Sequence, residues 1–115
     1  MIVVAKTYEA FYDLQVQLHA GMVVRDYTAL CHGWLPTLRG NVSARTNCLT
    51  DGPVTESGGR GRMSLTNIAV TSHLQHVCGA LAIAMINILT GRKHQIRSHA
   101  SHVGHPTVRD KVYTS

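Results

Sequence analysis

The chain has 115 residues, with eleven Lys and Arg against six Asp and Glu, eight His, and a formal charge of +5. That length suits one small domain, and with aromatic residues at only 5% its core has to be aliphatic. No apolar run approaches the roughly 18 residues that span a bilayer, and no basic segment precedes the apolar start as in a secretory signal, so no membrane partner is expected.

In chain order, residues 1–5 read as a continuous apolar strand, the pattern of a strand buried on both faces. A chain that opens inside such a strand has nothing before it to cover the strand's start, which points to N-terminal incompleteness. Thr7 suits a helix N-cap, and Glu9 falls in the first turn, where a carboxylate meets the helix dipole. Phe11, Leu14 and Leu18 follow at helical spacing and Gly21 fits the C-terminal cap, so an amphipathic helix is expected over residues 8–20. Residues 23–32 read as a second strand, with Arg25, Tyr27, Ala29 and Cys31 on one face and Asp26, Thr28, Leu30 and His32 on the other. Gly33 to Pro36 break it. A shorter strand is expected near residues 40–45, then a polar, Gly-rich surface loop over 47–61. Residues 65–74 and 80–89 read as two strands of a hairpin turning near 75–79, the second nearly all aliphatic and hence central. Ile96, Ala100 and Val103 give a late helix its apolar stripe; Gly104 caps it and Pro106 prevents continuation. The fold class is α+β, a mainly antiparallel mixed sheet with flanking helices.

Cys31, Cys48 and Cys78 are odd in number and widely spaced, with no C-x-x-C. This fits reduced thiols in an intracellular compartment, whether cytoplasm, nucleus or organelle, and not a disulfide scaffold.

The charge concentrates late. Residues 91–111 hold Arg92, Lys93, Arg97, Arg109 and Lys111 against the single acid Asp110, together with four His. Such an excess favours a polyanionic partner, most simply nucleic-acid phosphate, although a solvated basic face has the same composition. In the run Thr90-Gly91-Arg92-Lys93-His94-Gln95-Ile96-Arg97-Ser98-His99, a strand end turns into a helix. A helix N-terminus offers unpaired N–H groups to phosphate, and Gly91 lets the phosphate approach. His94 and Arg97 share a helix face. Arg97 follows the apolar Ile96, at the core's edge, where an arginine needs an anion. That anion is either a phosphate or a carboxylate, with Asp26 or Asp13 the structural choice. His94, His99, His102, His105 and Asp110 are also numerous enough for Zn²⁺, but no H-E-x-x-H or C-x-x-C accompanies them, and hydrogen-bonding histidines are the favoured reading, with no metal. Tyr27 is either a core side chain or a platform for a flipped base, and Trp34 has the same two readings.

The run 90–99 resembles the TGR-x-HQIR-x-H signature of the RluA-like (large-subunit type) RNA pseudouridine synthases. Other pieces follow in the family's order. Residues 1–7 resemble L-x-V-x-A-K-T, residues 24–33 resemble V-x-K-x-Y-x-A-L-V-x-G with Arg25 near the basic position, and residues 104–110 resemble G-H-P-I-x-G-D, with Tyr113 after them. The likeness spans nearly the whole chain and is poorest over 47–61. It implies isomerisation of uridine to pseudouridine in RNA, rRNA or tRNA, with no cofactor. A base is flipped into a pocket, its glycosidic bond is broken, and the uracil is rejoined through carbon 5. By position, Tyr27 would stack on the base, Arg97 would pair with and orient the catalytic Asp, and Arg92, Lys93, His94, Gln95 and His99 would lie on the RNA side. The family's Asp stands in R-L-D-x-x-T-S-G, and none of Asp13, Asp26, Asp51 or Asp110 has that context. Arg109 replaces a usual Gly. The expectation is therefore a partial catalytic domain over 1–115 without its nucleophile, inactive alone, with sheet edges open to self-association. The alternative is a non-catalytic RNA-binding module, a degenerate or truncated copy.

Overall fold

The computed structural model describes residues 2–36, 40–46, 62–91 and 94–113, without the side chains of 44–46 and 62. The loop expected over 47–61, and Arg92 and Lys93, lie outside the described residues.

Helix α1, Tyr8–His19, starts as its cap residues dictate. Thr7 Oγ1 accepts a hydrogen bond from Ala10 N (3.1 Å), and Glu9 sits in the first turn. Four strands follow, β1 (Asp26–His32), β2 (Gly40–Thr46), β3 (Arg62–His76) and β4 (Gly79–Ile88), and then helix α2, Gln95–His102. The strands form one sheet in the order β1-β4-β3-β2, and every pairing is antiparallel. The expected mixed character is therefore absent among the described strands. The aliphatic β4 lies inside the sheet, between β1 and β3. Its partner β3 reaches it through the two-residue connection Val77-Cys78.

Alternation sorts the sheet into two faces. Cys31, Ile68, Ala82, Ala84, Ile86 and Ile88 are buried on the inner face, where Ala100 of α2 and Leu35 close the core. Small residues at the centre (Ala82, Ala84 and Ala100 are each 0% exposed) make this a thin aliphatic core, as the scarcity of aromatics requires. A register shift between Val70 and Ser72 reverses the parity of β3. Before it the even-numbered residues face inward; after it His73, paired with Ala82, does so, and its Nε2 donates to Leu35 O (2.7 Å).

The sequence reading needs two corrections. Residues 2–5 are not a strand, and Ile2, Val3 and Val4 are exposed. Continuous apolarity makes a buried strand only where neighbours supply its hydrogen bonds, and no described strand pairs with this segment. Helix α1 forms over the expected residues, yet none of them is buried, and Phe11, Val16 and Leu18 are exposed. Its periodicity was sufficient to form a helix but found no covering surface among the described residues.

Arg109 has φ 63, in the left-handed region that disfavours a Cβ. Arg109→Gly is expected to stabilise the chain by about 0.5–1 kcal/mol in denaturant unfolding, the steric relief exceeding the added backbone entropy of the unfolded state. Arg109→Ala, which keeps the Cβ, should give no such gain.

Candidate active-site cleft

The placement of α2 begins with buried polar groups. Gln95, 2% exposed, donates from Nε2 to Leu65 O and Thr66 Oγ1 (both 2.9 Å), while its Oε1 accepts from Thr90 Oγ1 (2.8 Å). His99, 0% exposed, is hydrogen-bonded through Nδ1 to Thr66 Oγ1 (2.8 Å). These bonds tie the first turn and a half of α2 to the inner face of β3. Of the residues expected on the RNA side, His99 is fully buried, and Gln95, though 2% exposed, borders the cleft between α2 and β1. Both side chains point into the protein, because Thr66 on β3 offers them a partner that the chain order hides.

Fixing α2 this way turns His94, Ile96 and Arg97 toward β1. Together with Tyr27, Ala29 and Ile88 they line an open cleft of about 360 Å³. Tyr27 comes from β1 and Arg97 from α2, so the tertiary fold brings together the two residues expected to do auxiliary chemistry. Tyr27 is 46% exposed, which removes the core reading of that residue. Trp34 is likewise exposed, its ring 6.3 Å from that of His73. His94 adopts φ 55 at the helix start.

Arg97 has a carboxylate in this chain, and it is neither Asp26 nor Asp13. Its Nε donates to Asp110 Oδ2 and its Nη2 to Asp110 Oδ1, each 2.6 Å, in a bidentate pair. Asp110 also accepts from Thr107 Oγ1 (3.1 Å), Val112 N (3.1 Å) and Tyr113 N (3.2 Å). The Arg97 guanidinium, then the backbone N–H groups and Thr107, hold the Asp110 carboxyl well below the usual carboxylate range against the opposing effect of burial. The guanidinium lies 5.1 Å from the centroid of the buried Tyr113 ring, which meets His94 edge-on at 6.0 Å. Asp110 and Tyr113 thus hold, from behind, the Arg97 and His94 side chains that line the cleft. The sequence contained one signal for it, a lone acid in a basic stretch, two residues after which the chain folds back under α2.

The histidines disperse. His99 turns to Thr66, and His105 Nδ1 donates to His32 O (2.8 Å). Among the described residues no three His, Cys, Asp or Glu side chains gather closely enough to hold a metal ion. No helix among them is long and apolar enough to cross a membrane.

A family model described as RNA pseudouridylate synthase matches residues 1–102. The chain belongs to that family. More particularly, it is 32% identical over 116 residues to ribosomal large subunit pseudouridine synthase D of Zymomonas mobilis, covering 98% of this chain and 35% of that protein. It is 33% identical over 121 residues to the protein of the same name from Pseudomonas aeruginosa, with 98% and 34% covered. Among solved structures, the human RNA pseudouridylate synthase domain containing 1 superposes with a TM-score of 0.84 at 28% identity, over 97% of this chain and 49% of that one. The chain spans about a third of the length of the curated relatives it matches.

The sign of the pH response follows from Asp110. A folded-state carboxyl held below its unfolded value, near 3.9, stabilises fully above that value and loses its contribution as pH falls below it. Asp110→Asn is expected to cost about 2 kcal/mol at pH 7. It should also flatten the acid limb of a stability–pH curve below about pH 4. An unchanged acid limb in urea titrations would count against this assignment.

Proposed function

We propose that these residues form the base-receiving side of a site that isomerises uridine to pseudouridine in RNA. The observation that carries this is the shared cleft of Tyr27 and Arg97, side chains from β1 and α2 that converge although they are distant in sequence. The exposed Tyr27 ring would stack on a flipped base, whose unstacking the protein offsets by aromatic contact. Arg97, held in place by its bidentate pair with Asp110, lines the same cleft and would orient a catalytic carboxylate there. His94 stands on the cleft wall beside them, and Arg92 and Lys93 add cationic charge in the adjoining sequence for the RNA backbone.

The 115 residues are read as part of one catalytic domain, and no cofactor enters the proposal. The central step needs an Asp at the cleft. Among the described residues, Asp110 is committed to Arg97, Asp26 accepts from Asn87 Nδ2 (2.8 Å), and Asp13 accepts from Gln17 Nε2 (2.7 Å) on α1, while Asp51 lies outside them. We therefore propose that this chain alone binds RNA without turning uridine over.

Binding to single-stranded RNA should weaken steeply with salt, and Tyr27→Ala should weaken it further, roughly 5- to 150-fold for one lost stacking contact. Tyr27→Phe should bind like the wild type. A uridine conversion assay on bulk RNA should show no product; clear turnover would overturn the claim of inactivity, and loss of the Tyr27 effect would remove the stacking role.

We also propose that the chain self-associates. Leu30, Leu74 and Met85 on the outer sheet face are exposed, as is the apolar side of α1. Light scattering should report species larger than the monomer at micromolar concentration; a monomer throughout would contradict this.

A further inference from the structure

A second feature lies beside the cleft and has no part in the chemistry above. The backbone of Arg25 is fixed at the entrance to β1, where its carbonyl accepts from Ile88 N (3.2 Å). Its half-buried side chain crosses Gly91 so closely that a Cβ there would stand 2.3 Å from Nη1. Against that investment in position, the guanidinium has few partners. Nη2 makes one long contact to Leu89 O (3.4 Å), and Nε is buried with no hydrogen-bond partner among the described residues. The nearest acid in sequence, Asp26, is turned to Asn87. A half-buried cation without a carboxylate is costly unless an anion completes it.

The structure assigns Arg25 a phosphate-binding role. We infer that Arg25, seated over Gly91, binds the RNA phosphodiester flanking the base that stacks on Tyr27. The inference rests on the reading of the cleft as an RNA site. Arg25 stands just before β1 and Tyr27 is that strand's second residue, a separation of roughly 6.6 Å along extended chain, within one nucleotide's reach. Gly91 is the residue that makes room, since any side chain there displaces the guanidinium. A planar guanidinium offers phosphate two parallel donors, which a lysine cannot match.

The test is the salt dependence of binding to a short single-stranded oligoribonucleotide, measured for the whole chain. Arg25→Gln should lower the magnitude of the slope of log K against log salt by about one, the mark of one lost phosphate contact. Arg25→Lys should keep most of the slope while losing affinity. Gly91→Ala should lower affinity by moving the guanidinium, and on the Arg25→Gln background it should lose nothing further. A wild-type slope in Arg25→Gln, or additive losses in the double variant, would overturn the assignment. So would a drop in melting temperature with the slope unchanged, since Arg25 would then merely pin the loop. Absence of any RNA affinity in the wild type would instead remove the reading of the cleft itself.

Discussion

The structure depends on one polar contact more than on any apolar one: the Gln95 side chain, buried between α2 and β3 and bonded to Leu65, Thr66 and Thr90. An amide in that position has three partners to satisfy and few orientations that satisfy them. Burial without partners would cost several kcal/mol, so α2 has one favourable seating. A thin core of alanines and isoleucines would tolerate sliding of the helix; the amide does not. His99, bonded to the same Thr66, fixes the helix at a second point one turn on. What α2 presents to the cleft follows from this seating, because the N-cap His94 and the helical Arg97 flank Gln95.

Arg97 connects that seating to the electrostatics. An arginine at the edge of a core demands an anion, and Asp110 meets the demand with a bidentate pair while the backbone and Thr107 satisfy its remaining lone pairs. The pair also closes the C-terminal turn onto α2, so that Tyr113 comes to rest under the guanidinium. The arginine is held rigid by groups outside the cleft, and this preorganises it toward whatever occupies the cleft. Arg25 presents the opposite condition, a cation with no carboxylate beside it among the described residues. The two arginines therefore differ in kind: one is neutralised and oriented by a carboxylate, and the other has none beside it among the described residues.

The sheet has an inner face with a core and an outer face with apolar residues still in contact with water. Leu30, Leu74 and Met85 on that outer face, and the apolar residues of α1, are exposed among the described residues. Local preference alone accounts for α1: a threonine cap and good spacing form the helix, while packing contributes almost nothing.

Much of the fold was legible because local rules and global packing agreed. The helix after Thr7, the β3–β4 hairpin, the central position of β4 and the stop after His102 all follow from caps, alternation, unbroken apolarity and Gly104-His105-Pro106. The motif run likewise marked Tyr27 and Arg97 as residues of interest. Elsewhere the sequence was ambiguous for physical reasons. The apolarity of residues 2–5 cannot say whether a neighbouring strand exists to pair with them. A single bulge in β3 reverses which residues face inward, and nothing in Val70-Thr71-Ser72 announces it. Polar residues in a basic helix look solvent-facing until Thr66, some thirty positions earlier, is seen beneath them. What the sequence determined by itself was the set of elements and the chemical types gathered near residues 90–110, since these depend on spacing and composition. Only the tertiary structure decided which of those side chains face inward, that Asp110 neutralises Arg97, and that the Arg25 side chain crosses Gly91, since pairing in space is set by how α2 and β1 approach each other.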